Sequence, residues 1–209
     1  MTRNNKQNAT ALKIRTTATE MFAEKGYDGT IMDELTVRSG VNKASIYYHF
    51  QDKSNLYEQC LTHLFANVAD AVINATELAT PGTPKLKAFV KTFAKLANAT
   101  PAMPAILMRE IASGGHNMPV TARHQMQRLL STLKFILDTE DPNPNFEPIN
   151  ALTPHFMIIG SLCFYLTSQP MRDRIESTEK IDPTLEEFTQ QLIDILQSGL
   201  IKKTKGGLT

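Results

Sequence analysis

The sequence is poor in thiols, in net charge, in long apolar runs and in strand-like alternation, and each shortage excludes something. Its two cysteines, Cys60 and Cys163, lie far apart and in no CxxC or Cys/His grouping. A disulfide framework and a cysteine-ligated zinc site are therefore not expected. Two thiols in helix-like apolar surroundings read as small buried hydrophobes. The longest apolar run, FMIIGSLCFYL at 156–166, is too short for a bilayer, which takes about 20 residues. No cationic-then-apolar leader opens the chain, so the expectation is a soluble, cytoplasmic protein that makes no membrane contact. With 22 basic and 21 acidic residues, the formal charge is +1, and bulk composition announces no polyanion. Catalytic groupings are missing too. There is no Gly-rich phosphate loop and no metal-spaced cluster, and His124 and His155 have no Ser or Cys at motif spacing. The expectation is no enzyme, with no catalytic residue, metal or cofactor.

What is present is helical spacing. Thr10 to Lys25 sets Leu12, Ala18, Met21, Phe22 and nearby Ile14 on one side, and Gly26 ends it as a glycine just past a helix does. Thr30 is the expected N-cap of a helix over 31–38, with Asp33 and Glu34 in a first turn where the dipole favours acids. Gly40 breaks that helix, and Asn42 caps another over 43–48. Asp52 caps a long helix from Lys53 to about Ala79, carrying Leu56, Cys60, Leu64, Phe65, Val68 and Val72. TPGTP at 80–84 is the clearest break in the chain. Beyond it, helices are expected near 84–99, 102–114, 119–138, 150–169 and 184–203, separated by TPAMP, SGGHNMP, EDPNPNFEP, SQP and DP. The fold class is all-α with about nine helices. The organisation is a helix-turn-helix domain over 1–55, a connecting helix over 53–79 and a regulatory and dimerisation domain over 80–209.

Charge is uneven even though it sums to little. Residues 1–15 hold Arg3, Lys6, Lys13 and Arg15 and no acid, and residues 1–53 hold eight Lys or Arg against six acids. A basic arm suits a polyanion, although a solvated terminus would look alike. Two short helices joined by a tight glycine turn most commonly place the second in a DNA groove. On that reading Leu35, Val41, Ile46 and Phe50 pin the pair to the first helix. Asn42, Lys43, Ala44, Ser45 and Tyr48 lie at or near the exposed N-terminal end of the second short helix. There Asn42 and Lys43 can bond base edges, and Ala44 can pack on a thymine methyl. Thr30, Tyr47, His49 and Lys53 sit at helix ends and turns, where they can hold phosphates. The plainer alternatives are a buried ring at Tyr47 or Tyr48, a locally bonded His49 and an ordinary first-turn Lys53. A first-turn lysine opposes the helix dipole, which favours a phosphate partner.

The run from Ile14 to Leu56 resembles the N-terminal DNA-binding domain of the tetracycline-repressor (TetR) family. The resemblance rests on Ala18 and Phe22, Gly26-Tyr27, Thr30, Asp33-Glu34-Leu35, Ser39-Gly40-Val41, and Tyr47-Tyr48-His49-Phe50 with Lys53. Thr36 departs from the family's usual Ala where the two motif helices cross, and its hydroxyl can bond back to a carbonyl one turn earlier.

The resemblance implies that the remainder binds a small-molecule effector and forms a homodimer through its last two long helices. A candidate seam follows 3–4 spacing at Phe156, Ile159, Gly160, Cys163 and Phe164, and again at Leu185, Phe188, Leu192, Ile195 and Leu196. Two amphipathic core helices would show the same pattern. Methionines are concentrated in 101–171, and Met103, Met108, Met126 and Met157 are candidates to line an adaptable apolar pocket or simply to fill a core. Arg109, Glu110, His116, Arg123 and His124 could anchor a ligand or form a solvated face, and take no assigned role. The reading is a ligand-responsive regulator, of the repressor kind, binding palindromic double-stranded DNA as a homodimer. The alternative is a helical small-molecule-binding protein or adaptor of the same fold without sequence-specific DNA binding.

Overall fold

The computed structural model describes residues 3–79, 85–140, 149–175 and 182–200. Among these there is no strand; there are ten α-helices and one π-helical turn, Ile136–Glu140. In chain order the helices are α1 (Arg3–Gly29), α2 (Met32–Ser39), α3 (Lys43–Phe50), α4 (Lys53–Glu77), α5 (Lys85–Ala99), α6 (Ala102–Ala112), α7 (Val120–Phe135), α8 (Leu152–Thr167), α9 (Gln169–Arg172) and α10 (Leu185–Leu200). The count exceeds nine because SQP, expected as a break, starts the short α9, where Pro170 sits in the first turn and sacrifices no helical hydrogen bond. The breaks at 80–84 and 141–148 lie outside the described residues, as do 201–203, the expected end of the last helix.

Three local expectations change, and one holds with a difference. α1 begins at Arg3 and not at Thr10, since no Gly or Pro in 3–10 stops it. Leu12 is exposed, because it lies about 200° around the helix from Ile14, whose side carries Ala18, Met21 and Phe22 into the core. Gly26, at φ 72° and ψ −179°, breaks the helix within α1 as expected, although a short helical stretch follows it. Thr30 is not the N-cap of α2. That position is Ile31, with no side-chain cap bond, while the Thr30 hydroxyl donates back to the Gly26 carbonyl at 2.8 Å.

The described chain forms two compact units. The first comprises residues up to Asn67 together with Thr100–Met126, and the second Val68–Ala99 together with the residues from Gln127 onward. This grouping differs from a single division near residue 80, because α6 and the start of α7 pack with the N-terminal helices. The reason is visible in α6. It buries Met103, Ile106 and Leu107, and its Arg109 donates to the carbonyls of Ala23 (2.8 Å) and Glu24 (2.6 Å) near the break in α1. Those carbonyls have lost helical donors, and a guanidinium replaces them.

In the first unit, Ile14, Ala18, Met21 and Phe22 of α1 meet a core that also holds Leu35, Ile46, Phe50, Leu56, Cys60 and Leu61. In the second, α5 contributes Leu86, Phe89, Val90 and Phe93, with α8 adding Ile158, Leu162 and Cys163 and α10 adding Leu192, Ile193 and Leu196. Arg172 ties this unit together: it lies 4.4 Å from the Tyr165 ring, pairs with Asp182 at 2.8 Å and donates to the Tyr165 carbonyl. The two cysteines are buried and free, and burial pushes both thiols up to about 12.

Candidate nucleic-acid interface

The second helix of the motif, α3, is built by its caps. Gly40 ends α2 in the left-handed region (φ 60°, ψ 25°), a conformation costly for a residue with a Cβ, and its N–H returns to the Val37 carbonyl. Two residues later the Asn42 side chain accepts from the Ser45 N–H at 2.8 Å and starts α3. Ile46 and Phe50 face the core with Leu35, while Val41 is half-buried. The other face is open: Asn42, Lys43, Ala44, Tyr47 and Tyr48 are exposed, and Ser45 and His49 are half-buried. Neither Tyr47 nor Tyr48 is a buried support, and Tyr48 is 72% exposed, in edge contact with the His49 ring at 5.2 Å.

Three ion pairs link α2 to its neighbours. Lys25 meets Glu34 at 2.6 Å, Arg38 meets Glu24 at 2.5 Å, and Lys43 meets Asp33 at 2.6 Å. All are open to solvent, so they orient side chains more than they stabilise the unit. The Asp33 carboxylate, by hydrogen bond and then by charge, holds the Lys43 ammonium above its ordinary pKa. Arg38 holds the Glu24 carboxyl below its own, chiefly by hydrogen bond. Asp33 has no spacing signature in the sequence, since its ten-residue separation from Lys43 becomes a contact only when the α2–α3 turn closes. Thr36 donates to the Asp33 carbonyl at 2.6 Å, the back-bond expected of a residue larger than alanine.

The exit from α3 is strained. Gln51 has φ 61° and ψ −59°, and the Asp52 N–H reaches the Phe50 carbonyl at 2.6 Å across it, a γ-turn with positive φ. Asp52 then caps α4 by accepting from the Asn55 N–H at 2.7 Å. Lys53 does not point freely to solvent. Its ammonium lies 4.5 Å from the Tyr27 ring centroid and 3.4 Å from the Asp28 carbonyl. Tyr27 packs on Tyr57, and Tyr57 meets Phe22 edge-on at 4.6 Å. The Tyr57 hydroxyl donates to the buried Glu110 carboxylate at 2.5 Å. Thr30 stands apart from the exposed set, at 2% accessibility with its hydroxyl held by Gly26.

The methionines proposed for one pocket do not share a unit. Met103 is buried in the first, where Met108 and Met126 are half-buried, whereas Met157 is an exposed residue of the second. The candidate seam divides. Phe156 (64% exposed) and Phe164 (58%) flank half-buried Gly160 on one face of α8, and Ile195 of α10 is 61% exposed. Leu192 is buried, and Phe188 is half-buried and stacks on Tyr165 at 4.5 Å; both pack within their own unit. Among the described residues no helix is long and apolar enough to cross a membrane.

A capped, exposed short helix just beyond a left-handed glycine turn, braced on a first helix, defines a helix-turn-helix protein of all-α fold. Comparison with known proteins makes this specific. Residues 14–60 match the family model "Bacterial regulatory proteins, tetR family". Over 53 residues it is 45% identical to the "Biofilm operon icaADBC HTH-type negative transcriptional regulator IcaR" of Staphylococcus aureus (strain Newman), covering 25% of this chain and 28% of that one. The chain thus matches little more than a quarter of the length of this curated relative. Solved structures extend the likeness to the whole fold. A TetR family transcription regulator from Marinobacter aquaeolei VT8 superposes with a TM-score of 0.74 at 12% identity, covering 96% of this chain and 100% of that one. The transcriptional regulator FadR from Bacillus subtilis, solved in complex with stearoyl-CoA, gives 0.69 at 16% identity, covering 90% and 98%.

Proposed function

We propose that this chain is a DNA-binding transcription regulator that acts as a homodimer and responds to a small molecule. The observation that carries the reading is the α3 surface. Its N-terminal end is capped and exposed, and presents an amide, an ammonium, a methyl and a phenol (Asn42, Lys43, Ala44, Tyr48) where a major groove offers acceptors and thymine methyls. Ser45 would join them at the rim. Tyr47, His49 and Lys53 would hold phosphates, with Lys53 exchanging the Asp28 carbonyl for a phosphate oxygen. Thr30 would act only through the position of α2. In function, residues 1–55 would serve DNA and residues 80–209 regulation, with unbroken α4 between them.

A single eight-residue reading helix spans too few base pairs for useful affinity, so two half-sites and two subunits are required. The exposed face Phe156–Gly160–Phe164, with Ile195, is where the second copy would sit. The IcaR likeness supports repression, since that protein is a negative regulator. The FadR structure, holding stearoyl-CoA, supports a small-molecule effector here without identifying it. Coupling of about 1–3 kcal/mol would change operator affinity roughly 5–150-fold.

Selection of genomic fragments by purified protein, with a salt titration of the enriched site, tests the reading. The expected result is a palindromic site bound far more tightly than random duplex. Weak binding indifferent to sequence would sink it and leave a helical small-molecule-binding protein or adaptor. Lys43→Ala should change sequence preference, whereas Lys53→Ala should weaken all sites alike and reduce the salt slope by about one.

A further inference from the structure

Within the first unit, a depression of about 540 Å³ is lined by side chains of α1, α4 and the start of α7. The residues that line it carry polar or charged groups apart from Ala66, set among the carbon stems of their own side chains. α4 supplies Asn55, Gln59 and His63, which at four-residue spacing stand one above another on a single face. Arg15 of α1 is half-buried, and among the described residues its guanidinium forms no ion pair. A cation partly removed from water and in no ion pair keeps hydrogen-bonding capacity for a ligand.

The neighbouring groups sharpen this. Glu58 is the carboxylate in the lining; the Thr121 hydroxyl donates to it at 2.9 Å, and Thr62 in turn bonds Thr121 at 2.7 Å, which orients this acid toward α7. The Gln59 amide donates to the Asn55 side-chain oxygen at 2.7 Å, which leaves the Asn55 amide protons as donors. His63 bonds Asn67 at 3.2 Å; burial first and Arg15 second keep its pKa below the ordinary histidine value. Arg15, Asn55 and Gln59 therefore offer donors, and the imidazole can gain a proton, with Glu58 the carboxylate of the lining.

We propose that this cleft binds a small oxyanion, a carboxylate or phosphate group on a compact molecule. Arg15 grips it with its planar fork, and the Asn55 and Gln59 amides orient it. The depression, about 540 Å³, leaves room for the rest of such a molecule beside its anionic group. The bound anion would offset the repulsion between Arg15 and a protonated His63. The proposal stands whether or not the chain binds DNA.

Two-dimensional NMR of the His63 imidazole, with inorganic phosphate and benzoate titrated separately at constant ionic strength, tests the proposal. The expected result is saturable binding of at least one probe, accompanied by a rise in the His63 pKa. Binding of phosphate alone identifies a phosphoryl site, and of benzoate alone a carboxylate site. Arg15→Gln should weaken binding about tenfold or more, and Arg15→Lys, which keeps charge without the fork, should fall between. The proposal is overturned if neither probe binds while the spectrum shows a folded protein, or if Arg15→Gln binds as tightly as wild type. Displacement of the probe by duplex DNA at an Arg15-dependent contact would also overturn it, by making the cleft part of the DNA surface.

Discussion

The two compact units show opposite surfaces at their candidate recognition faces. In the first, α3 exposes amide, ammonium and phenol groups, and nearby charges are paired across short distances: Lys43 with Asp33, Arg38 with Glu24, Lys25 with Glu34. In the second, α8 exposes Phe156 and Phe164 on either side of a glycine, with no side chain there to hold a charge. A polar face whose groups are already oriented suits a partner made of hydrogen-bonding edges and phosphates. An apolar face suits a partner that is equally apolar, and a second copy supplies one by symmetry. The difference separates two kinds of affinity: the first should fade with salt, and the second should not.

The largest expected effect tests the apolar side of this contrast. Phe156→Glu combined with Phe164→Glu should halve the mass measured by light scattering and lower operator affinity roughly a hundredfold or more, because the two half-sites are no longer linked. Since both rings are exposed in the single chain, its own stability should change little. An unchanged mass would show that the face serves something other than self-association.

A second test addresses the interior of the first unit. Tyr57→Phe removes the hydroxyl that donates to buried Glu110, whose other carboxylate oxygen has no hydrogen-bond partner among the described residues. The expected loss is about 1–3 kcal/mol in urea unfolding. Burial first, and the bond to Glu110 second, raise the Tyr57 pKa above its ordinary value of 10.0. The folded state therefore holds this proton more tightly than the unfolded chain does. Its contribution is fully present below pH 10 and is lost as pH rises beyond, and the fall should be shallower in Tyr57→Phe. The buried thiols, raised from 9.0 to about 12, act in the same direction and remain in the variant.

Smaller effects refine the polar side. Gln51→Gly should stabilise the first unit by about 1 kcal/mol, read as a higher denaturation midpoint, because glycine adopts the positive φ of this turn without strain. Asp33→Asn frees Lys43 and removes a negative charge beside it. Affinity for random duplex should rise about twofold to fivefold at low salt, and the gain should vanish as salt increases. A gain that persists at high salt would mean that Asp33 does more than hold Lys43.

Much of the first unit was legible because its signals are local. Gly40, Asn42 and Asp52 act within a few residues of themselves, and the helix caps they predict are present. Thr30 shows the limit. Its type suited a cap, but the break at Gly26 presented a nearer carbonyl, and the hydroxyl turned inward. The second unit was less legible because amphipathic spacing does not say which apolar residue packs and which faces out. Leu192 and Ile195 belong to the same pattern on α10, yet one is buried and the other exposed. The methionine cluster failed as a single pocket for a related reason: closeness in sequence did not place Met103 and Met157 in one unit.

By itself, then, the sequence determined an all-α chain with a helix-turn-helix near its start, because periodicity, capping and glycine turns depend only on neighbours. Tertiary structure decided the rest: that α6 folds with the N-terminal helices, that Asp33 holds Lys43, that Arg15 stands in a cleft with Asn55, Gln59 and His63, and that two phenylalanines of α8 remain exposed. Each of these depends on residues distant in the chain, whose burial and charge pairing have no local signature.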